Sequence, residues 1–278
     1  MRRADPELLG VIGHPIAHSL SPAIHAAAAR AEGRRFAYHA FDVEPAALAA
    51  AIGGLVVLGA RGVNVTVPHK VAAAALVDRL EPEARATRSV NTITIEDDGT
   101  LTGATSDVEG VLTSVRDDLG LEVGGLRVVV VGAGGAARAT VYALLQAGAA
   151  SVGILARDVA RAAELARSLG GSVVTAHDDG AAADLVVQAT SVGMAGGPDP
   201  AGSAVPDWLL DRAGAVLDLV YRPSVTPLLE AARRRGLPAA NGLTMLAAQA
   251  RGSYRRWFGD APSLSVFVGA AREAAAEG

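Results

Sequence analysis

The chain has 278 residues and a formal net charge of −4, so its charge gives no reason to expect nucleic acid or a membrane as a partner. It contains no cysteine, which excludes disulfides, thiolate metal sites and cysteine nucleophiles. Half of the residues are hydrophobic and only 4% are aromatic, which predicts a mainly aliphatic core in an α/β fold. At roughly 150 residues per domain we expect two domains. Without a recognisable signal peptide or membrane span, we expect a soluble, cytoplasmic protein.

Segments typical of strands and helices alternate along the first 107 residues. The pattern predicts strands at 8–13, 36–42 and 62–67, with helices at about 22–32, 45–52 and 70–77 between and after them. Residues 90–96 and 100–104 are predicted to form a hairpin that turns at Asp97, Asp98 and Gly99. A helix at 108–118 then leads to the glycine pair 124–125, after which a second α/β unit begins.

The most informative stretch is VVVVGAGGAAR at 128–138, in the second unit. Its four valines predict a buried parallel strand, and Gly132, Gly134 and Ala137 fit the G-x-G-x-x-G/A pattern of a dinucleotide-binding turn. In that pattern the glycines allow a tight turn and a close approach of the pyrophosphate, which lies at the N-terminus of the following helix. A helix is predicted from Ala136 to Gln146. The strand before and the helix after favour a nicotinamide or flavin nucleotide over a glycine-rich turn that binds nothing.

The following strand, within 151–158, ends where such a unit places the residue that contacts the adenosine ribose. An Asp or Glu there is typical of NAD sites, whereas an Arg is typical of NADP sites. Arg157 and Arg161 lie near that point, and Ala156 provides no carboxylate, so the sequence favours NADP. The alternative is that both arginines are solvated and that Asp158 only caps a helix.

The rest of the chain predicts buried strands at 185–189 and 215–220 and helices at 227–235, 245–257 and 266–276. In a pair of α/β domains a ligand binds in a cleft at the carboxyl ends of the strands. Polar residues that follow strands of the first unit are therefore candidates for the site: Ser19, Ser21, Asn64, Thr66, Lys70, Asn91 and Asp107.

Several ordered motifs resemble the shikimate dehydrogenase family. GHPIAHSLSPAIHA at 13–26 is similar to the family signature G-x-P-x-x-H-S-x-S-P-x-x-H-N, and VNVTVPHK at 63–70 resembles N-V-T-x-P-x-K. SVNT at 89–92, GAGGAAR from Gly132, QATSVGM at 188–194, DLVYRPSVTPLL at 218–229 and NGLTMLAAQA at 241–250 follow in the family's order. The resemblance covers nearly the whole chain.

The resemblance implies an N-terminal substrate-binding domain, 1–107 with 243–278, and a Rossmann-type doubly wound NADP-binding domain, 108–242. It implies reversible NADP-linked reduction of 3-dehydroshikimate to shikimate, in the pathway to the aromatic amino acids, by a monomer or homodimer without a metal. Lys70 and Asp107 match the family's catalytic pair. The positions that match substrate-binding residues are Ser19, Ser21, Thr66, Asn91, Tyr221 and Gln249. The positions that match cofactor-binding residues are Gly132, Ala133, Gly134, Gly135, Ala136, Arg157, Arg161, Thr190, Gly242 and Met245.

Chemistry agrees with these assignments, although each residue type has an ordinary alternative. Reduction of a ketone leaves an alkoxide that needs a proton, which Lys70 could donate while Asp107 holds the ammonium. The alternative is a surface ion pair. Ser19 and Ser21 could bind a carboxylate or could cap the helix that starts at Pro22. We interpret His69 as a supporting or surface residue and not as the acid.

The chain departs from the family pattern at a few positions. Thr105 and Ser106 replace Asn and Thr of G-x-N-T-D, the segment 156–158 replaces N-R-T, Gln188 replaces Asn, and Thr244 replaces Gly. These departures leave a preference for quinate or aminoshikimate open, although quinate enzymes often carry Thr at the position of Ser21. A sensor that binds shikimate-like ligands without turnover is a further alternative, which the presence of both Lys70 and Asp107 disfavours.

Overall fold

The computed structural model describes residues 6–175 and 182–276. The chain divides into two compact units: unit 1 comprises 1–107 and 246–278, and unit 2 comprises 108–245. Each unit is built on a six-stranded sheet with helices between the strands. The predicted two-domain α/β fold is therefore confirmed. No helix among the described residues is long and apolar enough to cross a membrane.

The sheet of unit 1 is mixed. Its strands are β1 (Glu7–Gly13), β2 (Phe36–Asp42), β3 (Gly62–Val65), β4 (Arg79–Leu80), β5 (Thr92–Ile95) and β6 (Leu101–Ala104). They are ordered β2-β1-β3-β5-β6-β4, and β5 runs antiparallel to both of its neighbours. The predicted hairpin is confirmed, because β5 and β6 pair directly and Gly99 lies in their turn with a φ of +90°. Thr92 therefore lies opposite Ala104, which brings the segments before β5 and after β6 together.

The helices of unit 1 are mostly those that the sequence predicts. They are α1 (Ser21–Glu32), α2 (Leu48–Val57), α3 (Lys70–Ala73), α4 (Pro82–Thr87), α10 (Leu243–Phe258) and α11 (Leu264–Ala276), and α10 begins in unit 2. A proline in the first turn of α1 and Gly33 after its end, with a φ of +64°, mark its limits. Strand β4 and helix α4 are not predicted from the sequence.

Two helices of unit 1 differ from their predicted limits. The predicted helix at 45–52 starts as a 3₁₀ turn and then continues as α2 past two glycines to Val57, because burial of Leu55 together with Ile52 stabilises the extra turn. The predicted helix at 70–77 ends at Ala73. The chain leaves the helix because Asp78 pairs with β6: its amide donates to the carbonyl of Leu101, and its carboxylate accepts from the amide of Leu101.

The core of unit 1 is aliphatic on one face of the sheet and aromatic on the other. Ile12, Val63 and Ile93 belong to the aliphatic cluster. On the opposite face, His25 stacks on Tyr38 with ring centroids 4.3 Å apart, and further rings pack around this pair: Phe36, Tyr254, Trp257, Phe258 and Phe267. The expectation of a mainly aliphatic core is wrong for this face, because the few aromatic residues are concentrated there.

The sheet of unit 2 is parallel. Its strands are β7 (Arg127–Val131), β8 (Ser151–Leu155), β9 (Ser172–Val173), β10 (Leu185–Gln188), β11 (Val216–Asp218) and β12 (Ala239–Ala240). Its helices are α5 (Asp107–Leu119), which starts on the last residue of unit 1, α6 (Gly135–Gln146), α7 (Val159–Leu169), α8 (Asp207–Leu210) and α9 (Pro227–Arg234). The strand order β12-β11-β10-β7-β8-β9 reverses at β7, as in a doubly wound nucleotide-binding sheet.

Strand β7 is buried on both faces, as its run of valines predicts. Val128 and Val130 pack into one hydrophobic cluster, whereas Val129 and Val131 pack into the other. The carboxyl end of β7 leads directly into the glycine-rich turn and α6. This central strand therefore places the turn at the point where the strand order reverses.

Candidate active site

Lys70 and Asp107 form a buried ion pair in unit 1. Lys70 is the first residue of α3 and Asp107 is the first residue of α5, and Lys70 Nζ lies 2.6 Å from Asp107 Oδ2. Their side chains are 10% and 0% exposed. The N-terminus of a helix is a favourable place for the carboxylate. The interpretation as a surface ion pair is therefore wrong, because both groups are removed from solvent.

Lys70 is also the single lysine of the chain, whose other strongly basic side chains are all arginines. Arginine is not deprotonated in proteins, whereas a lysine ammonium can release its proton. Lys70 is therefore the strongly basic side chain of this chain that can release a proton.

Asn91 joins this pair to Gln249 on α10. The Nδ2 group of Asn91 lies 2.8 Å from Asp107 Oδ1 and 2.9 Å from Gln249 Oε1. The backbone amide of Ser106 donates to Asn91 Oδ1 at 2.9 Å. Since α10 returns to unit 1, the structure brings Lys70, Asp107, Asn91 and Gln249 into one hydrogen-bonded group.

A second group of polar side chains lies next to Asn91, and Asn64 is the predicted site residue among them. Asn64 Nδ2 donates to the Ser253 hydroxyl at 2.7 Å and to the carbonyl of Asn91 at 3.0 Å. The hydroxyl of Ser253 also bonds to Thr92 at 2.7 Å. Ser253 was missed, although its position four residues after Gln249 places it on the same face of α10.

Thr105 and Ser106, which depart from the family pattern, have different environments. The Ser106 hydroxyl is buried and contacts both Asn91 and Ser253, so it takes part in the network. The Thr105 hydroxyl is buried and has no hydrogen-bond partner in the described part of the chain. Ser106 is thus integrated into the site, whereas Thr105 leaves a polar atom unsatisfied.

Ser19 and Ser21 follow β1, and Thr66 follows β3. Among the described residues, none of these three side chains forms a hydrogen bond with Lys70 or Asp107. The hydroxyl of Ser19 accepts from the amide of Ser21 at 3.3 Å, while the N-cap of α1 is Leu20 and has no side-chain capping bond. Burial raises the pKa of Tyr38, and a hydrogen bond with Ser21 opposes that shift. Tyr38 also donates to Asn64 at 2.8 Å, so Ser21 reaches the network through Tyr38.

His69 is buried, which excludes the surface interpretation. Its Nε2 atom lies 2.7 Å from the carbonyl oxygen of Val43, so the ring N–H donates to the loop after β2. The amide of His69 donates to the carbonyl of Thr66. His69 thereby ties the turn before Lys70 to a neighbouring loop.

The glycine-rich turn in unit 2 has the geometry that a dinucleotide needs. Gly132 has a φ of +129°, and a Cβ atom there would lie 2.9 Å from the carbonyl oxygen of Ala189. At Gly134, by contrast, a Cβ would meet nothing within 4 Å. Gly134 is the N-cap of α6 and no side chain caps this helix, so its N-terminus is open to an anion. Ala137 is fully buried, which permits close packing of helix and strand.

The two arginines after β8 differ in their environments. Arg157 is exposed and forms no hydrogen bond or ion pair with the described residues. Arg161 is also exposed, but its Nε lies 3.3 Å from Asp158 Oδ2. Asp158 caps α7 by accepting from the amide of Arg161 at 3.1 Å. The capping interpretation of Asp158 is confirmed.

The remaining candidates of unit 2 lie after β10, β11 and β12. The Thr190 amide donates to Gln188 Oε1 at 2.6 Å. Burial raises the pKa of Tyr221 to about 12. A Cβ at Gly242 would lie 2.2 Å from the carbonyl oxygen of Leu219, so only glycine fits there. Met245 packs in the aliphatic core of unit 2.

Thr244, where the family has glycine, uses its hydroxyl within unit 2. Its Oγ1 donates to Asp118 Oδ1 at 2.8 Å, and the residue is buried. The added hydroxyl therefore bonds α10 to α5.

Comparison with known proteins identifies the family. Residues 11–93 match the family described as shikimate dehydrogenase substrate binding domain, and residues 115–193 match shikimate / quinate 5-dehydrogenase. The shikimate dehydrogenase (NADP(+)) of Geobacter sp. (strain M21) is 46% identical over 266 residues, which cover 91% of this chain and 90% of the relative. The chain belongs to the shikimate dehydrogenase family.

Other members of the shikimate dehydrogenase family agree over nearly the full length. The shikimate dehydrogenase (NADP(+)) of Rubrobacter xylanophilus is 43% identical, and the match covers 97% of this chain and 95% of the relative. Among solved structures, shikimate 5-dehydrogenase of Thermus thermophilus in complex with NADP(H) and shikimate has a TM-score of 0.86 and 38% identity. That match covers 96% of this chain and 99% of the other.

Proposed function

We propose that this protein is an NADP-dependent oxidoreductase that interconverts 3-dehydroshikimate and shikimate, a step towards the aromatic amino acids. The observation that carries the proposal is the buried pair of Lys70 and Asp107, bound through Asn91 to Gln249. A protein that only senses its ligand has no need of a proton donor. A buried ion pair contributes little to the free energy of folding, because the cost of desolvating both charges offsets much of their Coulomb attraction.

Lys70 moves the proton in the proposed reaction. NADPH, when bound, supplies the hydride that turns the C=O group of 3-dehydroshikimate into an alkoxide. Lys70 Nζ donates a proton to that oxygen, which gives the hydroxyl of shikimate. In the oxidative direction Nζ takes the proton from the hydroxyl. Asp107 holds the ammonium group in place through its hydrogen bond of 2.6 Å.

The substrate carries a carboxylate and several hydroxyl groups, and short polar side chains suit both. We assign Asn91, Gln249 and Thr66 to the hydroxyl groups, and Ser19 and Ser21 to the carboxylate. We also assign Tyr221 of unit 2 to the substrate. A site that pairs each hydroxyl discriminates against analogues that leave its polar groups unpaired.

We assign the pyrophosphate of the cofactor to the open N-terminus of α6 and to the turn formed by Gly132, Ala133, Gly134, Gly135 and Ala136. We assign the 2′-phosphate to Arg157 and Arg161. Arg157 carries more of this role, because Arg161 is already paired with Asp158. We place Thr190, Gly242 and Met245 on the nicotinamide side of the cofactor.

Steady-state assays of shikimate, quinate and aminoshikimate with NADP and with NAD test the proposal. We expect the highest kcat/KM for shikimate with NADP, measured by the absorbance of NADPH. A preference for quinate or aminoshikimate would assign the chain to another activity of the family. Binding of shikimate and NADP without turnover under any condition would contradict an enzymatic function. We expect a monomer or a homodimer, which analytical ultracentrifugation measures directly.

A further inference from the structure

Asp218 is a buried carboxylate that the proposed reaction does not use. It ends β11, is 0% exposed, and has no cationic partner among the described residues. Three donors surround it instead. Thr226 Oγ1 lies 2.6 Å from Oδ2, while Gln188 Nε2 and the amide of Val220 each lie 3.0 Å from Oδ1. Because burying an unpaired charge is costly, such a group requires an explanation beyond packing.

The first donor, Gln188, connects Asp218 to the loop after β10. Gln188 and Asp218 lie side by side in register on parallel strands, so both side chains are at the carboxyl edge of the sheet. The same side chain also bonds to the loop: its Oε1 accepts from the amide of Thr190 at 2.6 Å, and its Nε2, which donates to Asp218, donates to the carbonyl of Val192 at 3.1 Å as well. Asp218 thereby orients the amide group that holds Thr190.

The other two donors connect Asp218 to the loop that carries Tyr221. Val220 and Thr226 lie at the two ends of this loop, and their amide and hydroxyl groups both donate to Asp218. Thr226 also caps α9, because its hydroxyl accepts from the amide of Leu229 at 3.2 Å. The carbonyl of Val220 accepts from the amide of Gly242 at 3.1 Å. Two loops at one edge of the sheet therefore bond to the Asp218 carboxylate, and the loop of Gly242 is connected to it through the backbone of Val220.

We propose that Asp218 is a positioning residue that sets the loops of Thr190, Tyr221 and Gly242 in their binding geometry. This inference rests on the proposed function, which gives these three residues to cofactor and substrate. Asp218 acts through Gln188, Thr226 and the backbone and does not touch the ligands itself. Gln188, which replaces the family's asparagine, still reaches both Asp218 and Thr190.

The experiment compares two variants of Asp218 with a matched control at pH 8. Asp218→Ala removes the acceptor, whereas Asp218→Asn keeps an oxygen for Val220 and Gln188 and offers an N–H to Thr226. Asp184→Asn is the control, because Asp184 lies just before β10, at the opposite end of the strand that carries Gln188, and pairs with Arg127 on the surface. The dissociation constant of NADPH is measured by its fluorescence, and kcat and KM are measured with shikimate.

We expect Asp218→Ala to weaken NADPH binding about 10- to 100-fold, as the loss of one or two hydrogen bonds to a charged group does, and to raise the KM for shikimate. Asp218→Asn should remain within about 3-fold of the wild type, and Asp184→Asn should equal it. A residue with a purely structural role would lower the Tm of Asp218→Ala but leave the dissociation constant and KM of the folded protein unchanged. That result would overturn the proposal.

Two further variants keep the test decisive if Asp218→Ala does not fold. Gln188→Leu removes only the connection to Thr190, and Thr226→Val removes only the hydroxyl beside Oδ2. Gln188→Leu should weaken NADPH binding more than it changes the KM for shikimate, and Gln188→Asn should restore part of the affinity. Equal affinities in all variants would contradict the inference. If the wild type does not oxidise shikimate, the proposed function is wrong. The positioning role can still be tested in that case, because the affinity for NADPH is measured without turnover.

Discussion

Lys70 Nζ lies 2.6 Å from Asp107 Oδ2, and Asp107 is the only hydrogen-bond partner of that ammonium group in the described part of the chain. Two of its three N–H groups are therefore available to a substrate oxygen. The other oxygen of Asp107 accepts from Asn91 at 2.8 Å, which fixes the carboxylate. The Asp107 carboxylate is thus held between Lys70 and Asn91, and it fixes the position of the ammonium group.

Replacing Lys70 separates proton transfer from binding. We expect Lys70→Ala to lose about 1,000-fold in kcat and to keep the KM for shikimate within a few-fold, since general acid–base catalysis typically contributes 10²- to 10⁴-fold. Lys70→Arg should be as inactive, because a guanidinium keeps the charge and gives up no proton. If Lys70→Arg retains kcat, or if Lys70→Ala raises only KM, Lys70 is an anchor for the substrate and His69 becomes the next candidate.

Asp107 should act together with Lys70. We expect Asp107→Asn to lose kcat to a similar extent, because it no longer holds the ammonium group. The double variant Lys70→Ala with Asp107→Asn should lose much less than the product of the two single losses, because the residues work as a unit. Steady-state kinetics of the four proteins measure this coupling. Independent, multiplicative losses would contradict it.

Arg157 should determine the preference for NADP over NAD. Arg157→Ala should raise the KM for NADP about 10- to 150-fold and change that for NAD little, since only NADP carries the 2′-phosphate and a charge-assisted bond is worth roughly 1.5–3 kcal/mol. Arg161→Ala should have a smaller effect, because Asp158 already pairs with this side chain. Equal changes for both cofactors in Arg157→Ala would show a structural role.

The hydroxyl of Thr244 should stabilise unit 2. Thr244→Val keeps the shape of the side chain but removes the donor to Asp118, so we expect the free energy of unfolding to fall by about 1 kcal/mol. Asp118→Asn, which retains an acceptor, should cost less. The KM for NADP should stay at the wild-type value in both variants. An altered KM without a change in stability would instead place the Thr244 side chain beside the cofactor.

His25 should make the protein sensitive to acid. Burial lowers the pKa of His25 from 6.5 to about 3, so the unfolded chain binds a proton between these pH values that the folded chain does not. The stability contributed by the neutral ring is complete above pH 6.5 and is lost as the pH falls. At 1.36 kcal/mol per pH unit the loss is on the order of 3 kcal/mol by about pH 4.

Urea unfolding of the wild type and His25→Phe at pH 7 and pH 4 measures this contribution. Phenylalanine can keep the stacking on Tyr38 but cannot take up a proton. The variant should therefore lose less stability between the two pH values than the wild type does. Equal losses would show that the ring of His25 is not the source of the acid sensitivity.

The sequence alone determined the features that depend on neighbouring residues. The run of valines before Gly132 specifies a strand that is buried on both faces, and the glycines after it specify the turn, because only short-range sterics are involved. The turn between β5 and β6 is equally local, since Gly99 supplies the positive φ. The family motifs, which are read in chain order, show the family and predict the residues of the site.

Only the tertiary structure decided the contacts between distant segments. Asn91 and Gln249 are 158 positions apart, and their hydrogen bond exists because α10 packs back into unit 1. Helix α3 ends at Ala73 because Asp78 finds its partner in β6, and α2 passes two glycines because Leu55 is buried. These helix ends and contacts depend on the free energy of packing and strand pairing between distant segments, which exceeds the local propensities. Contacts of this kind produce no periodic pattern in the sequence from which they could be predicted.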